Sequence, residues 1–165
     1  MIEQVTEAVV LDKEFTYDAH VRVHLFTKEC GKIVAKATSA RKIASKLGAH
    51  LEPLSVSTVR YVQSRGLPQL IDALRSSRLP LAAMPVVRTV RALAPEGEPD
   101  AELWAVLADP AADVRAALCV LGYDPTFASC EWCGGAPDHF SLKTLFFVCH
   151  GCVPRAGVSY DCVAV

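Results

Sequence analysis

The chain has 165 residues, of which 52% are hydrophobic and 21% charged. This excludes a disordered chain and suits one medium domain or two small ones sharing a core. The formal net charge of −1 points to no polyanion partner, but its distribution is uneven. Residues 20–50 hold seven basic side chains against Glu29. Residues 53–95 hold six arginines against Asp72, and residues 96–165 hold ten acids against Arg115, Lys143 and Arg155. A basic front and an acidic rear suggest nucleic-acid binding by the front, against the plainer reading of an uneven solvated surface. The opening MIEQVTEAVV has no basic stretch leading into an apolar one, so no signal peptide is read. The longest apolar stretches, such as residues 79–87, fall far short of the ~20 residues of a membrane helix. A soluble, cytoplasmic protein is expected.

Residues 5–11 form a short apolar run that predicts a buried strand. In residues 20–26, Val21, Val23 and Leu25 alternate with His20, Arg22, His24 and Phe26, the pattern of a half-buried strand. Lys28, Glu29, Cys30 and Gly31 read as a hairpin turn, with Gly31 free to take positive φ. Residues 32–37 return as a third strand. Such short, closely spaced strands predict a meander in a small barrel. Ala40, Ile43, Ala44 and Leu47 lie at helical spacing, with Arg41, Lys42 and Lys46 on the opposite face. Residues 54–62 contain the β-branched set Val56, Thr58, Val59 and Val62 with Tyr61 and predict a fourth strand. Leu67, Leu70, Ile71 and Leu74 fit a helix or a fifth strand, and periodicity does not decide. In residues 79–93, Pro85 is expected to kink or split a helix. Residues 94–99 (APEGEP) are a loop. Two short helices are predicted at 101–107 and 111–121, the second closed by Gly122.

The rear carries the most specific motif. Cys130, Cys133, Cys149 and Cys152 form C-x2-C-x15-C-x2-C, a spacing read directly as a zinc site. Two thiolates on each tight knuckle face one ion, and a hairpin between the knuckles completes the tetrahedron. With no open position the zinc is structural. The chain has seven cysteines, so not all can pair, and a cytoplasmic setting disfavours disulfides. Cys30, Cys119 and Cys162 read as ordinary small residues.

Residues 25–53 can be read as one unit: Leu25-Phe26-Thr27, Gly31-Lys32, Ala40-Arg41-Lys42, Ser45-Lys46-Leu47 and Leu51-Glu52-Pro53. This resembles the amino-terminal domain of the RecO family, whose pattern is an L-F-T, a glycine turn, an A-K-G stretch ending in basic residues, an S-(K/R)-L and an L-x-P. The family also places paired cysteines behind a helical region. Thr38 and Ser39 stand where the family has Lys-Gly, and the helical region, about 79–127, is shorter than is usual.

The resemblance implies an α+β chain: a five-stranded OB-fold barrel (1–78), then a helical region (79–165) with a four-cysteine zinc module at about 127–155. It implies a DNA recombination and repair mediator, not an enzyme. Such a protein binds single- and double-stranded DNA, anneals strands and loads recombinase with RecR, with the single-strand-binding protein as a further partner. Charge for a phosphate-tracking groove is expected from Lys32, Lys36, Arg41, Lys42, Lys46 and Arg60, and Phe26 or Tyr61 offers either a stacking surface or core packing. No Gly-rich phosphate loop, G-x-S-x-G or H-E-x-x-H occurs, so the sequence offers no catalytic motif. Two other readings stay open: a zinc-stapled protein-interaction scaffold, and a zinc-ribbon/OB protein that binds RNA.

Overall fold

The computed structural model describes residues 2–16, 20–38, 46–63, 65–156 and 161–165. Five strands fill the front: β1 (Ile2–Phe15), β2 (Val21–Thr27), β3 (Gly31–Ala37), β4 (Ser55–Gln63) and β5 (Gln69–Arg78). A short helix, α1 (Lys46–His50), lies between β3 and β4. The strand order is β1-β2-β3-β5-β4, and β4 returns to β1, so the ring closes. This is the five-stranded barrel expected of an OB-fold. The segment that fitted helix or strand is β5, because its backbone pairs with β4 from Ser55↔Arg78 to Val62↔Gln69. Pairing partners, not the leucine spacing, decide it. The predicted basic helix falls mostly on residues 39–45, outside the described residues.

Alternation gives the barrel two apolar faces. Val21, Val23 and Leu25 of β2 point inward with Ala8, Val10 and Val59. The pairing of β1 with β2 is irregular between Val10 and Asp12, and Val9 and Leu11, two residues apart, share the outer face. There Val9, Leu11, Phe26 and Leu54 are covered by helices α2 (Met84–Leu93), α3 (Ala101–Ala108) and α4 (Val114–Val120). Val87 and Val90 of α2, Leu103 and Leu107 of α3, and Leu118 of α4 belong to the same buried cluster. Burial of this kind contributes ~1.5–3 kcal/mol per large side chain.

Pro85 does not split its helix. It sits in the first turn of α2, after a 3-10 turn at Leu81–Ala83, where a proline loses no hydrogen bond. Asp100 caps α3 by accepting from the N–H groups of Glu102 and Leu103, and Asp113 caps α4 by accepting from Ala116. Part of the acidic rear is therefore helix-capping chemistry rather than free charge. Gly122, at φ +87, ends α4 with Gly122 N–H donating to Cys119 O and Tyr123 N–H to Leu118 O, a Schellman closure.

Behind the helices, β6 (His139–Ser141), β7 (Phe147–Val148) and β8 (Cys162–Ala164) form an antiparallel sheet of order β7-β6-β8. Phe140 and Val163 extend the outer core into it. Two polar joins fix the rear to the barrel. Arg91 Nη2 on α2 meets Asp12 Oδ2 at 2.9 Å and Glu14 Oε1 at 2.6 Å on β1. The 94–99 loop lies along β3, with Gly97 N–H donating to Lys32 O at 2.9 Å. Among the described residues no helix is long and apolar enough to cross a membrane.

Candidate metal centre and nucleic-acid interface

The four cysteines of the C-x2-C pairs converge. Their Sγ atoms all lie within 4.8 Å of one another, and Cys133 and Cys149 are 3.6 Å apart. All four are free thiols. Local backbone chemistry builds each knuckle. In the first, Gly134 N–H donates to Cys130 O and Cys130 N–H to Gly135 O, both at 2.8 Å, with Gly134 at φ +70. In the second, Cys152 N–H donates to Cys149 O at 2.9 Å. Glu131 N–H reaches Phe147 O at 3.0 Å, so the β6–β7 hairpin brings the knuckles together.

The donor set fits zinc. A tetrahedral ion with Zn–S distances of about 2.3 Å needs sulfurs about 3.8 Å apart, close to the spacing found. Burial opposes ionisation of Cys130, but backbone N–H groups of Cys149, Cys133 and Trp132 bring its thiol down to about 6. Cys152 is pushed up to about 12, first by the Cys149 thiol and then by burial. Cys130 ionises readily while Cys133 and Cys152 resist, as thiols crowded round one thiolate must. A cation at the centre removes the conflict.

The expected basic residues are placed differently from one another. Lys36 lies on the outer face of β3, opposite Arg22 of β2. Both line a cleft of about 430 Å³ with Thr16, His20, Arg65, Leu67 and Gln69. None of Arg22, Lys36 and Arg65 meets a carboxylate among the described residues. Lys32 is half-buried at the seam with α2, and its Nζ donates to Arg91 O at 3.1 Å. Burial holds its pKa below the usual lysine value, Glu96 opposes that shift and Arg91 adds to it. Arg60 is outward on β4 and pairs with Glu3 Oε1 at 3.2 Å. With β5 between β4 and β3, Arg60 faces away from Lys36. Arg41 and Lys42 lie outside the described residues, as does the side chain of Lys46.

Neither aromatic candidate offers a stacking surface. Phe26 is fully buried under the helices. Tyr61 is buried in the barrel, where its hydroxyl donates to Gln4 Oε1. Among the described residues the exposed aromatics are Phe15, at the end of β1 in the barrel, and Phe127, Trp132 and Phe146 in the rear. The reading of the sequence left Arg22 and Arg65 out of the charged groove. Alternation had put Arg22 on the outer face, but only the β2–β3 register places it beside Lys36, and only the barrel's closure brings Arg65 to them.

The family model described as "Recombination protein O N terminal" matches residues 1–77. The DNA repair protein RecO of Myxococcus xanthus (strain DK1622) is 30% identical over 177 residues, covering 91% of this chain and 72% of that protein. The DNA repair protein RecO of Thermodesulfovibrio yellowstonii is 28% identical over 173 residues, covering 89% of this chain and 69% of that protein. A closed five-stranded front, a four-thiol rear and a likeness that runs across both ends point to one conclusion, that this chain belongs to the RecO family.

Proposed function

We propose that the protein is a DNA-binding mediator of recombination and repair. It binds single- and double-stranded DNA, anneals complementary strands and helps load recombinase with RecR, without catalysing a reaction. The observation that carries this reading is the cleft in which Arg22, Lys36 and Arg65 converge with His20 and, among the described residues, form no ion pair with a carboxylate. Three clustered cations repel one another, and a phosphate backbone relieves that repulsion while releasing counterions. Annealing needs only charge neutralisation and accessible bases. We place the interface on this end of the barrel, with Arg41, Lys42 and Lys46 beside it in sequence. Lys32 and Arg60 stay on the barrel as secondary contacts.

Zinc on Cys130, Cys133, Cys149 and Cys152 supplies cross-linking of the two knuckles and no chemistry of its own. The division into a barrel (1–78) and a helical, zinc-bearing rear (79–165) then separates DNA contact from partner docking. RecR and the single-strand-binding protein are the proposed partners, and the cytoplasm is the proposed compartment. A second reading, a zinc-stapled protein-interaction scaffold, is favoured by Trp132, Leu145 and Phe146, all exposed on the rear module.

The test is fluorescence anisotropy with labelled single-stranded DNA across a salt series on zinc-replete protein. Binding should weaken steeply with salt. The triple change Arg22→Glu, Lys36→Glu, Arg65→Glu should lower the slope by about 2, at ~0.7 per phosphate contact on a single strand. An unchanged slope would place the interface elsewhere. No binding by the unmodified chain at low salt would favour the scaffold.

A further inference from the structure

The barrel's weakest seam is also a cleft. β3 pairs with β2 along its whole length but with β5 only at Lys36↔Gln69 and Ala37↔Leu70. On that open side Lys36 N–H donates to Pro68 O at 2.7 Å, and Lys32 O accepts from Gly97 N–H at 2.9 Å. Groups on one edge of a strand recur every second residue. Val34, halfway between, therefore turns its own N–H and C=O toward the same open edge. The residue-to-residue pairings and turn bonds of the described residues give those two groups no partner. An unpaired edge of this kind is a template for a ligand with a matching donor and acceptor.

The space beside that edge, about 510 Å³, has apolar walls at Val34, Leu67 and Pro68, and its polar lining includes the amides of Gln4 and Gln63 together with the charged pair Lys32 and Glu96. It falls in the ~300–1,000 Å³ range of sites that bury small flat groups. Gln4 Oε1 already accepts from the Tyr61 hydroxyl and the Cys30 thiol, so its Nε2 remains a donor. Leu67 lines both this space and the basic cleft of Arg22, Lys36 and Arg65, so the two adjoin across its side chain. A group seated at the seam is thus attached to something whose negative charge lies one step away.

Apolar walls, an edge with adjacent donor and acceptor, and a neighbouring cluster of cations suited to a phosphate together match a nucleotide. We propose that the β3–β5 seam receives one unpaired nucleobase of a single DNA strand whose phosphates lie on Arg22, Lys36 and Arg65. The inference rests on the DNA-binding reading and names the substrate class within it. Every base carries a neighbouring donor and acceptor on its Watson–Crick edge, so the seam reads no sequence. It reads the absence of a complementary strand, because in a duplex that edge is occupied. Neighbouring bases outside the seam stay free to pair.

The experiment uses the full, zinc-replete chain at low salt and three labelled probes of equal length: a mixed-sequence single strand, a wholly abasic strand with the same phosphates, and a duplex. The base-bearing single strand should bind about tenfold more tightly than the abasic one. The variant Val34→Trp, which fills the seam, should bring the base-bearing strand down to the abasic strand's affinity. If that variant does not fold, Gln63→Leu, checked by circular dichroism, should reduce the preference about threefold. Equal binding of the two single strands by the unmodified chain overturns the proposal and leaves DNA binding intact. A preference that survives Val34→Trp overturns it too. No binding of any probe sinks the DNA-binding reading, and this proposal with it.

Discussion

The front and rear of this chain reach order by different means. The barrel closes a ring of strands, so its backbone hydrogen bonds support one another, and it buries an apolar face on each side. The rear sheet has strands of two or three residues, and its own cluster buries only Cys130, Val148 and Cys152. Two of those three residues belong to the four-thiol cluster that could hold a metal ion. A closed ladder needs no staple; a module with so small a core does. The sharpest way to break this comparison is to remove the metal. Cys130→Ser, or a strong chelator, should unfold residues 130–165 while β1–β5 keep their protection in hydrogen–deuterium exchange. Structural zinc is worth ~10–16 kcal/mol in small peptides. Even a third of that should lower the melting temperature by about 10 °C at ~2–4 °C per kcal/mol. Metal analysis should find about one zinc per chain, lost in the variant. Uniform loss of protection would mean that front and rear fold as one unit.

The seam between front and rear supplies the next test. Gly31 opens β3 at φ +68, and a Cβ there would stand 2.0 Å from the Glu98 carbonyl oxygen. Gly31→Ala therefore adds left-handed strain of ~1–2 kcal/mol and drives the 94–99 loop off the strand. A loss above ~2 kcal/mol in urea denaturation is expected, and a neutral result would show that the loop is not held there. Arg91→Ala is gentler. The ion pairs to Asp12 and Glu14 are more than a third exposed on the arginine side, so solvent screening leaves ~0.5–1 kcal/mol. High salt should shrink that difference, whereas lost packing alone would not respond to salt.

The same division explains what could be read in advance. β2, the turn at Gly31, β3 and β4 were legible because alternation and one glycine are local signals. The four cysteines were legible because their spacing is. β5 was not, since Leu67, Leu70, Ile71 and Leu74 satisfy both periods and only pairing with β4 separates them. Phe26 stays open between stacking and core packing in the sequence for a related reason. Alternation puts it on the outside of the barrel, and nothing local says that α2 covers that outside. The charged cleft needed both register and closure, which are properties of the ring rather than of any one strand. Pro85 shows the reverse error: a residue that breaks helices in the middle begins one when it falls in the first turn.

The smallest effect tests whether the acids of the rear are structural. Asp124 accepts from Thr126 N–H at 2.8 Å and caps the 3-10 turn at Pro125–Phe127. Its bond to Thr126 holds its carboxyl below the usual value, with a weaker pull from Arg115. A folded pKa below the unfolded one means stability that is present above the unfolded value, about 4, and lost as pH falls through the folded value. Asp124→Asn should therefore melt slightly below the unmodified chain at neutral pH, and the gap should close as the pH drops below about 4. Zinc bound to the four cysteines would leave both proteins in acid as thiolates protonate, so the difference between them, rather than either melting curve, isolates the cap. A gap that persists to pH 3 would show that the carboxylate's charge is not what stabilises the turn. No gap at neutral pH would make Asp124 part of a merely solvated acidic surface, and the contrast between a capped rear and a charged front would lose one of its supports.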